Sequence, residues 1–185
     1  MVERHAFAKK LSKIVARNEK IIYCDQTTFL SNAKPQRTWM HIDHPSLLTP
    51  LNYTQLKSIS VYGSISNCHS RPQYMLGTAT NIVQMKAFLI KLARSLQNPF
   101  MRAKPWLVLD NHSAHHSKKL KQTLNDHFRP LFMPAYSSPF NCQELVWAHV
   151  KRAYFVKLHR RDQNFASVEA FRDFVADVLK TTPIC

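Results

Sequence analysis

Apolar positions recur in two rhythms along this chain, and the rhythm changes several times between its ends. Steps of three and four, the period of a helix face, join Ile82, Met85, Leu89, Leu92 and Leu96, so residues 80–97 are predicted as an amphipathic helix that ends ahead of Pro99. Similar spacing predicts a helix over 1–19 with Phe7, Leu11, Ile14 and Val15 on one side. A further helix follows Ser117 as its cap and turns Leu120 and Leu124 inward. Two more run from about Cys142 to Leu158, and over 167–180 with Val168, Phe171, Phe174 or Val175, and Val178 inward. Alternation at period two makes 57–65 a half-buried strand, with a partner strand near Tyr74 and Leu76. The short apolar runs Ile21–Asp25 and Trp106–Asp110 each end on an aspartate, the pattern of a buried strand whose carboxyl end opens onto a site. Leu131–Met133, closed by Pro134, is another short strand, and residues 32–56, rich in Pro, Asn, Thr and His, read as loop. Strands interleaved with helices make an α/β fold. Without repeats or low-complexity tracts, 185 residues form one domain.

Charge adds what the pattern does not contain. Lys and Arg number 26 against 11 Asp and Glu, a net charge of +15. Such an excess points to a polyanion, nucleic acid before membrane surface, because basic groups that meet phosphates release condensed counterions. No apolar run approaches the length of a membrane span, and the start, MVERHAFAKK, carries no apolar signal region. The expected location is the nucleus in a eukaryote, or otherwise the cytoplasm and nucleoid, without secretion or a membrane partner. The 4 cysteines are scattered and form no CxxC pair, so neither a zinc ribbon nor a disulfide framework is expected.

Several chemistries are excluded. With only 2 glycines, Gly63 and Gly77, the chain has no GxGxxG turn and no P-loop. It also lacks HExxH and GxSxG motifs. What remains is a sparse set of acids. Between Asp43 and Asp110 the sequence holds no carboxylate, so Asp25 and Asp110 beside apolar strands, and Glu144 at the start of a helix, stand out. Carboxylates near a core are costly unless cations or donors accompany them. Three on rigid elements suit a pair of divalent ions engaged in phosphodiester chemistry. Each acid also has a purely structural reading. Asp110-Asn111 is a common turn pair, Asp25 can cap its following loop, and Glu144 stands three after Asn141 as in a capping box.

The local sequences narrow this choice. IIYCDQTTF (21–29), PQRTW (35–39), WLVLDNHSAHHS (106–117) and MPAYSSPFNCQELVWAHVKR (133–152) together resemble the motif set of mariner-type and related insertion-sequence DDE transposases. Pro134, Tyr136, Ser137, Asn141, Glu144, Trp147, Lys151 and Arg152 fall on that family's expected positions. The resemblance implies a ribonuclease H-like fold, a central mixed five-stranded sheet flanked by helices, with the two aspartate strands side by side and the glutamate helix nearby. It implies Asp25, Asp110 and Glu144 as catalytic ligands of two Mg²⁺ or Mn²⁺ ions, with Asn111 and His115 near the site and Trp147 packing its helix. Lys118, Lys119, Lys121, Lys151 and Arg152 are the candidate phosphate contacts. The implied reaction is cleavage of double-stranded DNA at transposon ends and strand transfer to target DNA, by an enzyme that is a homodimer when full length. Residues 20–185 would form the catalytic domain, with 1–19 a linker helix or the end of an absent DNA-recognition region.

The chain departs from the family pattern in places. The gap between Asp110 and Glu144 is one residue short of that in close eukaryotic members, and Ser138 and Cys142 stand where prolines are usual. Gln26 follows the first aspartate where an acid is frequent. Two other functions are compatible with the sequence: a catalytically silent remnant that binds nucleic acid, and a ribonuclease H-like nuclease acting on RNA or hybrids.

Overall fold

A computed structural model of the protein describes residues 2–31, 57–67, 69, 71–96, 103–159 and 165–184. The loop expected over 32–56, and with it the PQRTW segment, lies outside the described residues. The elements, in chain order, are α1 (Val2–Ala16), β1 (Ile21–Leu30), β2 (Ser58–Ser66), β3 (Gln73–Gly77), α2 (Ile82–Ser95), β4 (Trp106–Leu109), α3 (Lys118–His127), β5 (Arg129–Phe132), α4 (Cys142–His159) and α5 (Val168–Thr181). Short 3₁₀ turns at Ser113–His116 and Ser138–Phe140 precede α3 and α4.

The strands form one mixed sheet in the order β3-β2-β1-β4-β5, with β1 antiparallel to β2 and parallel to β4. Side chains of a strand alternate between faces, and the core divides accordingly. Ile22, Cys24, Leu107 and Leu109 point to one face, where Met85, Phe88, Leu89 and Leu92 of α2 and Leu120 and Leu124 of α3 cover them. On the other face lie two separate clusters. One joins Phe7 and Ile14 of α1 to Ile21, Val108, Leu131 and Met133. The other packs Val146, Trp147, Val150 and Tyr154 of α4 and Phe171, Phe174, Val175 and Val178 of α5 on Phe29, Ile59 and Val61.

Four expectations need correction. Strand β1 does not stop at Asp25 but continues to Leu30, because β2 pairs with it as far as Leu30↔Ser58, a long-range partnership that the polar stretch Gln26–Thr28 does not advertise. Strand β5 begins at Arg129, where parallel pairing with Trp106 of β4 starts. Ser117 takes the cap position of α3, but its side chain makes no capping bond; its carbonyl accepts from Leu120 and Lys121 instead. Val15 and Val168 are exposed, at 56% and 44%. Val15 lies off the Phe7–Ile14 side, and beside Phe171 the core is filled by Phe165, with ring centroids 4.9 Å apart.

Candidate active site

Strand register brings the first two acids together. Tyr23 of β1 pairs with Val108 of β4, and Asp25 and Asp110 each lie two residues further along the chain, near enough for the Asp110 charge to act on Asp25. Neighbours in register share a face of the sheet. Tyr23 belongs to the α1 side, and Asp25, two residues further along the same strand, points to that side too, toward Trp147 of the α4–α5 cluster. β4 ends at Leu109, leaving Asp110 at the open end of its strand, whereas Asp25 sits mid-strand and mostly covered.

Helix α4 delivers the third acid. Asn141, buried, caps it: its side-chain oxygen accepts from the Gln143 amide at 3.1 Å, and its carbonyl accepts from the Glu144 amide at 3.0 Å. The capping-box alternative for Glu144 is not realised, because the Asn141 N–H already donates to Ser138 O at 2.8 Å. The exposed Glu144 side chain takes no hydrogen bond or ion pair among the described residues. The loop leading to α4 carries Tyr136 at φ 55° with its side chain 94% exposed, a left-handed backbone position that few non-glycine residues adopt.

The electrostatics separate the two aspartates. Burial pushes Asp25 up to about 6; the charges of Glu144 and Asp110 add to that, while the Gln26 backbone N–H and the Trp147 indole oppose it. The indole N–H of Trp147 acts on Asp25 by proximity, without a well-aligned hydrogen bond. Asp110 goes the other way. The buried His115 ring stands 2.7 Å from Asp110 Oδ1, and hydrogen bonding and charge from it hold the Asp110 carboxyl below its ordinary value against the opposing effect of burial. Burial works to depress His115, yet the hydrogen bonds and charge of Asp110 outweigh it and raise the imidazole. Nδ1 is better aligned on the Asp110 carbonyl, at 3.2 Å, so Oδ1 has the imidazole close beside it but no well-formed hydrogen bond. Next to it, Asn111 Oδ1 lies 2.6 Å from His116 Nε2.

Among the described residues, no three His, Cys, Asp or Glu side chains are gathered tightly enough to chelate an ion. The acids are near enough to feel one another's charge but remain separate. Their chemistry still fits a hard divalent cation: all donors are carboxylate oxygens, Glu144 is uncommitted, and Asp110 Oδ1 is buried without a hydrogen bond. Of the candidate phosphate contacts, Lys118, Lys119 and Lys121 are exposed on α3, which follows the His115 turn. Lys151, half-buried, lies two helical turns from Glu144 on the same face of α4, roughly 10 Å along the axis. Arg152 beside it is exposed.

Sequence reasoning missed two residues. Gly63 of β2 is paired directly with Asp25, and Gln143, completely buried, precedes Glu144. Gly63 did carry a signal, as one of 2 glycines in the chain and inside a strand. Gln143 carried none, since nothing local distinguishes a buried glutamine from a solvated one.

Comparison with known proteins follows this geometry. The family described as DDE superfamily endonuclease matches residues 20–172. No curated protein sequence matches the chain. Among solved structures, the fold is similar to Mos1 transposase in a pre-cleavage transpososome, with TM-score 0.68 and 17% identity over 97% of this chain and 54% of that one. A Mos1 paired-end complex with the left transposon end gives TM-score 0.67 and 17% identity over 98% of this chain and 54% of that one. The catalytic domain of Mos1 mariner transposase gives 0.63 and 16% over 98% and 80%. At these identities the likeness is one of fold, the ribonuclease H-like arrangement of a mixed sheet between helices. The chain spans about half the length, 54%, of the transposase chains in the first two complexes.

Proposed function

The chain belongs to the DDE superfamily of endonucleases, and on that premise we propose that it cuts DNA phosphodiester bonds and joins the freed 3′ ends to target DNA. In this reading Asp25, Asp110 and Glu144 hold two Mg²⁺ or Mn²⁺ ions. What supports it is the parallel pairing of β1 with β4 up to Tyr23 and Val108, two residues short of Asp25 and Asp110, together with the action of the Glu144 and Asp110 charges on Asp25. When bound, such ions neutralise the scissile phosphate, activate a water or 3′-hydroxyl and stabilise the leaving oxygen.

The protein's own groups have separate tasks. His115 fixes the direction of the Asp110 carboxylate from its buried place on the Ser113–His116 turn. Trp147 steadies Asp25 from α4. Lys151 and Arg152 on α4, and Lys118, Lys119 and Lys121 on α3, take phosphates on either side of the cut and set the register of the duplex. The Mos1 comparisons support this substrate and these ions, because that transposase has been solved with transposon-end DNA, with Mn and with Mg. A target duplex, a homodimer of the full-length enzyme, a recognition region ahead of residues 20–185, and a nuclear or nucleoid location belong to the same reading.

The experiment is cleavage of labelled linear and nicked duplex DNA in Mg²⁺, Mn²⁺ and EDTA, with Asp110→Asn and Glu144→Gln alongside. Metal-dependent cutting should fall by at least about 100-fold in both variants. Cutting that survives in EDTA or in both variants would sink the carboxylate mechanism. Binding without cutting in the wild type would favour a silent remnant, and cutting of RNA or hybrid in preference to DNA would change the substrate.

A further inference from the structure

We propose that Gly63 is a positioning residue for the site: by lacking a side chain, it seats α4 on the sheet at the depth that puts Glu144 opposite Asp25. The inference rests on the proposed function and adds to it a residue outside the carboxylate set.

Gly63 lies inside β2, paired with Asp25 on one side and with Tyr74 of β3 on the other. A strand interior disfavours glycine, which has no side chain to pack and much entropy to lose. No glycine in the chain has positive φ, so backbone conformation does not demand one at this position. The demand is steric. A Cβ at Gly63 would meet Trp147 Cη2 at 2.5 Å, Trp147 Cζ2 at 2.6 Å and Gln143 Nε2 at 2.8 Å. Both residues belong to the first turns of α4 and flank Glu144. Trp147 is only 2% exposed and Gln143 fully buried, and the Trp147 ring also packs on Tyr74 at 5.8 Å, so neither side chain can swing aside cheaply.

The seat depends on shape rather than on polar bonding. The Gln143 amide nitrogen and oxygen, Trp147 Nε1 and Tyr74 Oη are all buried without a well-formed hydrogen bond to protein. Contact with the bare Gly63 backbone therefore sets how closely α4 approaches. Relieving a 2.5 Å contact moves the indole by roughly 1 Å, and a displacement of that size is enough to cost about 10²-fold in a positioned site. Gly77 supplies the contrast. A Cβ there meets chiefly the end of the Gln84 side chain, which can rotate away.

The test uses four proteins: wild type, Gly63→Ala, Gly77→Ala, and Gly63→Ala combined with Trp147→Phe, whose smaller ring vacates the clashing atoms. Two readouts are taken on each: the Mn²⁺ concentration giving half-maximal DNA cleavage, and amide hydrogen exchange over 142–147 in EDTA. Gly63→Ala should raise the Mn²⁺ midpoint about 10-fold or more and speed exchange at the start of α4. Gly77→Ala should stay within twofold of wild type, and the combined variant should recover the exchange protection over 142–147, the readout that decides for it because phenylalanine also removes the Trp147 N–H that acts on Asp25. A Gly63→Ala protein with unchanged midpoint, or a combined variant whose exchange over 142–147 is no slower than that of Gly63→Ala, overturns the proposal. If the wild type shows no metal-dependent cleavage, the proposed function fails, and the exchange data alone decide the seat. Unchanged exchange in Gly63→Ala then overturns it.

Discussion

The two ends of the parallel strand pair β1 and β4 treat acids in opposite ways. Where the strands begin, Glu19 accepts from Trp106 Nε1 at 2.8 Å and from Arg129 at 2.6 Å, while the Arg129 guanidinium also lies 4.3 Å from the Trp106 ring centre. One carboxylate thus laces together the entries to β1, β4 and β5, and its charge is fully matched. At the other end, the charges of Asp110 and Glu144 reach Asp25, and the His115 ring stands beside Asp110. A matched acid lowers the free energy of the fold. An acid that burial and neighbouring charge push up, as Asp25 is, raises it, and such strain is found more often at functional sites than elsewhere. The contrast sets a structural carboxylate against the three proposed to hold metal, and metal, pH and substitution can each widen or collapse it.

The largest difference should appear with metal. A divalent ion that binds the folded protein alone stabilises it by about 2.7 kcal/mol at a concentration 100 times its dissociation constant. For a domain of this size that corresponds to a rise of about 5–10 °C in Tm. Asp110→Asn should abolish the increment, and Glu19→Gln should keep all of it. A wild-type melting curve indifferent to Mg²⁺ and Mn²⁺ would erase the distinction between the two ends.

Without metal the sign reverses at Asp25. Its carboxyl is raised from 3.8 to about 6, so between those values the folded chain holds more protons than the unfolded one, and stability falls as pH rises. Above about 6 the ionised group costs the fold an upper limit of roughly 3 kcal/mol. Asp25→Asn in EDTA at neutral pH should therefore melt higher than wild type, by about 1–2 kcal/mol once the needs of the amide are met. Its melting curve should also lose the decline between pH 4 and 6. A variant that melts lower in EDTA would mean that the Asp25 charge is already compensated.

The sequence made this contrast only partly legible. The helices at 80–97 and 142–158 and the two aspartate strands follow from periods that any local window contains. The side-by-side placement of the two aspartate strands depended on a resemblance, because parallel register between distant strands leaves no local trace. The length of β1 was hidden for the same reason: Gln26, Thr27 and Thr28 look like loop until β2 is placed beside them. Gly63 was visible as a rarity but not as a contact, since its meaning depends on Trp147 and Gln143 from another element. Glu19 carried no signal at all, being one acid near the end of a basic helix whose partners lie 87 and 110 positions away.

The smallest expected effect comes from that overlooked acid. Hydrogen bonds from Trp106 first, then Arg129, hold the Glu19 carboxyl below its ordinary 4.5. Its contribution is therefore complete above the unfolded value and disappears as pH falls through the lower folded one. Glu19→Gln keeps the acceptor oxygen and removes only the charge. It should lower Tm by a few degrees at most near neutral pH, and the gap from wild type should narrow as pH falls below the ordinary 4.5 and close once the carboxyl is protonated in the folded chain as well. High salt should narrow the gap as well, since the Arg129 side chain is 37% exposed and its pairing with Glu19 is screened. DNA cleavage and its metal dependence should match wild type throughout, because the charge lies where the parallel pairing of β1 and β4 begins, away from the acids proposed to hold metal. A Glu19→Gln protein with altered metal dependence would mean that the two strand ends are coupled through the sheet, and the division into a structural and a functional end would have to be abandoned.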